Sequence, residues 1–412
     1  MKLTTEQSKW NLIKIVTLLA FIGICYKFYT IVRFSYSDVQ WRGRYDLLTF
    51  LMPIVCLGVF IDIIRQKTLR GFFAISFVYI SYAVFITIAS CGYPLFNLPF
   101  AIVNMTYWYV VCYAFYRFFK NYDQTKKMDW LIKLTLVLFY ICAVAYFISL
   151  GEANELAYYE KRDVLANTSY YLICLFPIVL LTPSKTIRVI TTILLSVIVV
   201  FSNKRAGFIV MAVCLACVFF IDSSSKKNNA KYLRFIILAI VTVFLTFFIV
   251  DKFELHIFDR FESFTSGEDG GSGRGNIWNE TIEVLKHDNF IKNVFGRGYR
   301  AVSVDSHYSG VGEAHNDVLQ ALVDYGIPGV IALFGIYYYL IIVAFKMKKY
   351  KYIHRTPYVV SLVIFFGFSM ASMMLIYPYW FLGIAMFWGY IYADFEKYLK
   401  CIKEEEMINE TI

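Results

Sequence analysis

Charged residues are scarce in this sequence. Asp, Glu, Lys and Arg make up 17% of its 412 residues, and hydrophobic residues make up 59%. In an ordinary soluble domain about a quarter of the residues are charged and about half are apolar. The composition therefore excludes a soluble globular domain and predicts a protein that is embedded in a membrane.

The sequence also lacks the short motifs of several enzyme classes. It has no HExxH zinc pair, no GxSxG nucleophile turn and no GKS or GKT continuation of a nucleotide-binding loop. Cysteines number nine, and most lie inside apolar runs, so they form no disulfide framework. Cys214 and Cys217 have CxxC spacing but no second pair, which favours helix packing. We therefore expect no metal site and no cofactor.

Long apolar runs are what the sequence has in abundance. Twelve of them have about the 20 residues that a helix needs to cross a bilayer. They lie at 10–31, 46–64, 72–90, 97–117, 129–150, 167–183, 187–202, 207–222, 234–251, 328–345, 357–375 and 378–395. The fold class we predict is all-α, with about 12 transmembrane helices. Lys27 falls inside the first run, so it is expected to reach the interface or to face the bundle.

The runs divide the chain into four parts. Residues 1–251 hold transmembrane helices 1–9, residues 252–327 form one large loop, residues 328–396 hold helices 10–12, and residues 397–412 form a tail. Most Lys and Arg residues lie in alternate short connections, which places both termini in the cytoplasm and the large loop outside. The net charge of +10 is thus mainly a topology signal, and we expect no nucleic-acid partner.

The only long polar segment, residues 252–329, is where we expect any chemistry. It contains eleven of the 22 glycines and four of the five histidines. It has no Asp-x-Asp pair to hold a metal-bound sugar nucleotide. Five of its glycines fall between Ser266 and Gly275, which is typical of a mobile loop or of a nest of backbone N–H groups around an anion.

Two arginines are candidates for binding an anion. Arg205, beside Lys204, is a cation at the outer interface, where it either extends to the headgroups or points into a cavity and holds phosphate oxygens. Arg274 precedes a predicted short amphipathic helix that starts near Asn276. The positive end of a helix dipole reinforces an arginine at a phosphate, although a solvated loop arginine is the alternative.

His315 is the candidate general base. The spacing predicts a helix from about Asn316 to Tyr325 that ends at Gly326, so His315 lies at a helix start. A loop histidine is often a solvated bystander, but here it has several polar neighbours. A neutral imidazole can take a hydroxyl proton near pH 7. His307 is an alternative for this role.

Four segments resemble elements of the bacterial O-antigen ligase and O-antigen polymerase superfamily. Three of them are Lys204-Arg205-Ala206-Gly207, Arg274 with Ile277 and Trp278, and the turn Gly296-Arg297-Gly298. The fourth and most specific is His315-Asn316, then nine intervening residues, then Gly326-x-x-Gly329. Lys204 stands where the family usually has a small residue.

The resemblance implies a metal-independent, inverting glycosyltransferase of the bacterial inner membrane. Its donor would be a glycan linked to undecaprenyl diphosphate. Arg205 and Arg274 would hold the diphosphate, and His315 would activate or orient the acceptor. Other residues expected at the substrate are Lys204, Trp278, Arg297, Arg300, His307 and Asn316.

Two activities share these motifs. We favour a polymerase of O-antigen or capsular polysaccharide because polymerases are the more numerous members; the alternative is the ligase that joins a finished glycan to lipid A core. A transporter or flippase is the alternative from another class, but it predicts internal repeats and broken helices at mid-membrane. Expected partners are the lipid-linked donor, a glycan acceptor, membrane lipids and a chain-length regulator.

Overall fold

The computed structural model describes residues 5–33, 47–66, 69–90, 98–120, 124–160, 168–202, 204–223, 274–287, 289–301, 313–375 and 378–411. These residues form helices and a few short turns, and they contain no strand. In chain order the helices are α1 (Thr5–Arg33), α2 (Leu47–Gln66), α3 (Phe72–Ala89), α4 (Leu98–Lys120), α5 (Gln124–Glu160), α6 (Thr168–Val179), α7 (Lys185–Phe201), α8 (Arg205–Ser223), α9 (Arg274–His287), α10 (Phe290–Phe295), α11 (Asp317–Lys349), α12 (Arg355–Ala371) and α13 (Pro378–Thr411).

The all-α class is confirmed for this part of the chain. Each predicted apolar run coincides with a helix, except the run at 234–251, which lies outside the described residues. Four described helices are long and apolar enough to cross a membrane, and three shorter ones are similarly apolar. The total of about 12 spans and the outward position of the loop stay predictions. α13 is longer than its predicted span, because the helix continues through the predicted tail.

Helix α13 lies at the centre of the bundle. All residues from 380 to 393 are buried, so the helix is enclosed on every side. Close approach needs glycine: a Cβ on Gly383 would stand 2.8 Å from the Cys174 carbonyl oxygen of α6, and one on Gly389 would stand 2.5 Å from the Cys112 oxygen of α4. At the start of α13, the Lys27 ammonium lies over the ring of Tyr379, 4.3 Å from its centroid. Lys27 therefore faces the bundle, as one of the two expectations had it.

One face of α11 is available to lipid. Between Ile327 and Phe345 the exposed residues recur at helical spacing and are all apolar or aromatic. They are Ile327, Ile331, Phe334, Tyr338, Ile341 and Phe345. A continuous apolar stripe of this kind is typical of a helix surface in contact with acyl chains.

Helix α11 is bent at the position that the sequence indicates. Gly326 has φ 62° and ψ −161°, which interrupts the helix geometry, and Pro328 follows two residues later. The predicted end of a short helix at Gly326 and the start of a span at Pro328 thus correspond to two parts of one kinked helix. The part before the kink, residues 317–325, carries the polar residues discussed below.

Helix α3 separates two polar clusters. Its first residues pack against Tyr113, whose ring lies 5.5 Å from that of Phe73. Tyr113 donates a hydrogen bond of 3.0 Å to the buried Asp62 carboxylate, which also pairs with Arg117 Nε at 2.8 Å. The other end of α3, at Thr87, contacts the 296–300 segment. With a rise of 1.5 Å per residue, the two clusters are about 20 Å apart.

The Asp62–Arg117 pair gives a test of how the bundle is held together. Replacing Arg117 with Met should leave a buried carboxylate without its cation, at a cost of about 3 kcal/mol in stability. We expect a lower temperature of unfolding in detergent, followed by tryptophan fluorescence. The double variant Asp62→Leu/Arg117→Met removes both charges and should recover most of the loss. A single variant as stable as the wild type would show that the pair contributes nothing.

Candidate functional site

The Gly296–Gly298 turn lies directly against the kink of α11. The Arg297 N–H donates to the Val323 oxygen at 3.1 Å, and the Gly298 N–H donates to the Asp324 oxygen at 2.7 Å. Gly296 and Gly298 have φ values of 91° and 94°, which favour glycine. A Cβ on Gly296 would collide with the backbone at Asp324 and Tyr325. The two glycine motifs are therefore a single structural unit.

The same turn rests on the end of α3. The Tyr299 N–H donates to Thr87 Oγ1 at 3.1 Å, and a Cβ on Gly298 would stand 2.5 Å from Ser90 Oγ. The Tyr82 hydroxyl donates to the Phe295 oxygen at 3.1 Å. The polar segment is thus fixed to the transmembrane bundle close to the start of α11.

Buried polar side chains join the turn to the first turns of α11. The Asp324 carboxylate is fully buried and accepts hydrogen bonds from the Arg300 N–H (2.8 Å), the Ala301 N–H (2.9 Å) and Gln320 Nε2 (2.9 Å). Gln320 Oε1 in turn accepts from the Ala314 N–H at 2.8 Å. This chain of bonds leads from the glycine turn to the residue that precedes His315.

His315 lies at the start of α11, as predicted. Its φ of 49° is in the left-handed region, which is uncommon for residues other than glycine. Asn316 is the N-cap, and its Oδ1 accepts from the N–H groups of Val318 (2.9 Å) and Leu319 (3.1 Å). Asn316, which the resemblance placed at the substrate, therefore has a structural role in ordering the helix start.

Two cations act on the imidazole of His315. Burial lowers the pKa of His315 below its ordinary value of 6.5, and the positive charges of Arg274 and Lys204 lower it further. The folded protein thus favours the neutral imidazole at neutral pH. A neutral ring nitrogen can accept a proton, which is what a general base requires.

Arg274 is the first residue of α9. The helix therefore begins about two residues before the start near Asn276 that the sequence predicted. α9 packs on the pre-kink part of α11 through Val284, which meets Val323 and Ala301 in a small apolar cluster. At the other end of α9, Arg274 is close enough to His315 to act on it electrostatically. Arg274 also acts electrostatically on Tyr170 of α6.

Lys204 and Arg205 come from the corner between α7 and α8. Lys204 acts on His315, and Arg205 is the first residue of α8. Two residues further on, Gly207 packs on Tyr170: a Cβ there would stand 3.1 Å from Tyr170 Cε1. Three separate parts of the chain, at 204–207, 274 and 315, thus meet around Tyr170 and His315.

The remaining predicted substrate-binding residues have different surroundings. Arg300 forms an ion pair with Glu313 at 2.5 Å, so its charge is already compensated. Arg297 is half-buried and bonded through its backbone to α11. Trp278 lies on α9 with its indole Nε1 buried. His307 lies outside the described residues.

Sequence reasoning missed Tyr170 and the role of Asp324. A signal for Asp324 was present: Asp317, Gln320 and Asp324 are spaced so that they share one face of a helix otherwise rich in apolar residues. Tyr170 gave no such signal, because it is one of 33 tyrosines. Among the described residues, no group of three or more His, Cys, Asp or Glu side chains could hold a metal ion.

A comparison with protein families agrees with the four sequence segments. Residues 190–334 match the family model described as O-antigen ligase. The match covers about a third of the chain and includes Lys204, Arg205, Arg274, His315 and the 296–298 turn. A comparison with curated proteins finds no match.

The electrostatic contact between Arg274 and His315 can be measured. Because a nearby positive charge disfavours the imidazolium form, Arg274→Gln should raise the pKa of His315 toward 6.5. NMR titration of histidine-labelled protein gives this value, with the His315 signal assigned by its loss in His315→Gln. Lys292→Gln removes an exposed cation from α10 and serves as the control. An identical His315 pKa in Arg274→Gln and in the wild type would contradict this geometry.

Proposed function

We propose that this membrane protein transfers a glycan from a polyprenyl diphosphate to an acceptor hydroxyl. The match of residues 190–334 to the O-antigen ligase family model supports this proposal. The observation that carries the proposal is that Lys204, Arg274 and the half-buried His315 come together from three separate parts of the chain, where the two cations disfavour a charged imidazole. Such a site offers cations to an anionic leaving group and a base to the attacking hydroxyl. Both are needed for the displacement of a diphosphate by an alcohol.

The reaction is a direct displacement at the anomeric carbon. The acceptor oxygen forms the new bond to this carbon as its proton passes to His315, and the bond from the carbon to the phosphate oxygen breaks. The leaving diphosphate keeps the bonding electrons, so negative charge grows on it in the transition state. Attack opposite to the leaving group inverts the anomeric centre.

Arg274 and Arg205 are the proposed ligands of the diphosphate. A guanidinium group can donate two parallel hydrogen bonds to phosphate oxygens and is always charged. Fixed cations aimed at the developing charge lower the barrier in a water-excluded site. A diphosphate that is stabilised in this way leaves without being protonated, so the proposed mechanism uses no metal ion.

The acceptor is proposed to be the end sugar of a second lipid-linked unit, which makes the protein an O-antigen or capsular polysaccharide polymerase of the inner membrane. The ligase that transfers the glycan to lipid A core is the second candidate, and the description of the matched family favours it. Both candidates use the same donor and the same site. A chain-length regulator stays a predicted partner of the polymerase.

A transfer assay with purified protein tests the proposed chemistry. Given an undecaprenyl-diphosphate-linked glycan, His315→Ala, Arg274→Ala and Arg205→Ala should each lower the rate of product formation by about a hundredfold or more, because each removes transition-state stabilisation. A chelator should leave the wild-type rate unchanged. Lys286→Ala is the matched control, since Lys286 is an exposed cation on α9 and should not affect the rate. Near-normal rates in the three site variants would refute the assignment.

A deletion strain separates the two candidates. Loss of a polymerase should leave lipid A core carrying one repeat unit, because ligation still occurs. Loss of the ligase should leave core without any repeat unit. Gel electrophoresis of the lipopolysaccharide distinguishes these patterns. A strain that keeps long glycan chains would contradict both candidates.

A further inference from the structure

Asp324 is a buried carboxylate that the proposed reaction does not use. It is 0% exposed, as is Gln320. Its oxygens accept hydrogen bonds from two backbone N–H groups, at Arg300 and Ala301, and from Gln320 Nε2. Placing a carboxylate in such an environment costs free energy unless its hydrogen bonds are made. Asp324 is therefore a cross-link between the 296–301 segment and α11.

Gln320 extends this cross-link to the backbone beside His315. Because its Nε2 donates to Asp324, its Oε1 is turned toward Ala314 and accepts from the Ala314 N–H at 2.8 Å. A side-chain amide has one donor end and one acceptor end, so the carboxylate of Asp324 determines which end faces Ala314. The hydrogen bond from the Ala314 N–H to Gln320 Oε1 thus depends on the carboxylate of Asp324.

The backbone of His315 is held from both sides. Gln320 bonds to the residue before it, and the Asn316 cap fixes the residue after it. His315 itself has a left-handed conformation, which is unfavourable for a residue with a β-carbon. Such a conformation persists when the surrounding structure imposes it.

We propose that Asp324, acting through Gln320, is a positioning residue that holds the His315 imidazole where it can accept the proton of the acceptor hydroxyl. This inference rests on the proposed function for its catalytic consequence. Asp324 itself is not expected to touch the donor or the acceptor. It fixes the position of His315 relative to the Gly296–Gly298 turn and, through the packing of α9 on α11, relative to Arg274.

The structure provides a matched comparison on the same helix. Asp317 is also buried, but it accepts from the N–H groups of Met374 and Leu375, which precede α13. Two acidic residues of α11 thus anchor different segments. Only Asp324 is bonded, through Gln320, to the backbone that leads into His315.

The first experiment uses Asp324→Asn in the full-length protein in detergent. An amide at this position cannot accept from all three donors. With its NH₂ toward the Arg300 N–H it loses that bond, and with its NH₂ toward Ala301 and Gln320 it loses the Ala301 bond and reverses the Gln320 amide. Either change weakens the cross-link between the 296–301 segment and α11. We expect kcat to fall by about tenfold to a hundredfold, the range for a misplaced catalytic group, with little change in KM for the lipid-linked donor.

A double-mutant cycle shows whether the effect passes through His315. In a His315→Ala background, Asp324→Asn should lower the residual rate no further, because the group that it positions is already absent. An equal loss in both backgrounds would overturn the proposal. Asp62→Asn is the control, because it changes a buried carboxylate at the opposite end of α3, about 20 Å away. This variant should leave kcat unchanged. A similar loss of kcat in Asp62→Asn would indicate general destabilisation and would likewise overturn it.

A measurement that needs no turnover separates this inference from the proposed function. Asp324→Asn should shift the ring resonances of His315 in NMR spectra, and Asp62→Asn should not. If the wild type transfers no glycan but the resonances shift, the proposed function fails and the positioning stands. If the wild type is active and His315→Ala is inactive, yet Asp324→Asn changes neither kcat nor the resonances, the positioning alone fails.

Discussion

The site depends on the close crossing of two backbone segments. At Gly296 and Gly326 the turn after α10 and the kink of α11 approach so closely that a Cβ on either glycine would collide with the other segment's backbone. Because the crossing brings N–H groups of 297 and 298 onto carbonyl oxygens of 323 and 324, it fixes the register between loop and helix. The hydrogen bonds of Asp324 and Gln320, and hence the place of His315, follow from that register.

The electrostatics of the site couple anion binding to the state of the base. With the cations unneutralised, Arg274 and Lys204 lower the pKa of His315 and keep its ring neutral. On the proposed function, a bound diphosphate compensates these charges, so the pKa of His315 rises and the imidazole is a stronger base when the donor is in place. Linkage is reciprocal, so protonation of His315 would strengthen the binding of the anion. The proton taken from the acceptor in the proposed reaction would thus help to retain the negative charge that develops on the leaving group.

The sequence predicted the helices more completely than it predicted the contacts between them. Apolar runs predicted the helices, and Gly326 and Pro328 predicted the helix end and the new span that the structure joins into one kinked helix, because these signals are local. The meeting of Lys204, Arg274 and His315 was expected only through resemblance, since they are far apart in the chain. The Gln320–Asp324 relay could not be read in full, because its donors at 300 and 301 belong to another segment. Arg300 was assigned to the substrate, but its partner Glu313 was visible only in three dimensions.

The kink also explains how a site for a charged reaction can adjoin the lipid. Before Gly326, α11 turns its polar residues inward, where Asp317, Gln320 and Asp324 are buried and hydrogen-bonded. After Gly326, the same helix exposes an apolar stripe that starts at Ile327. Changing the helix direction at one residue lets each part meet a suitable environment without burying an unpaired polar group. On the proposed function, an isoprenoid chain can thus stay in the acyl region beside this stripe while its diphosphate reaches Arg274.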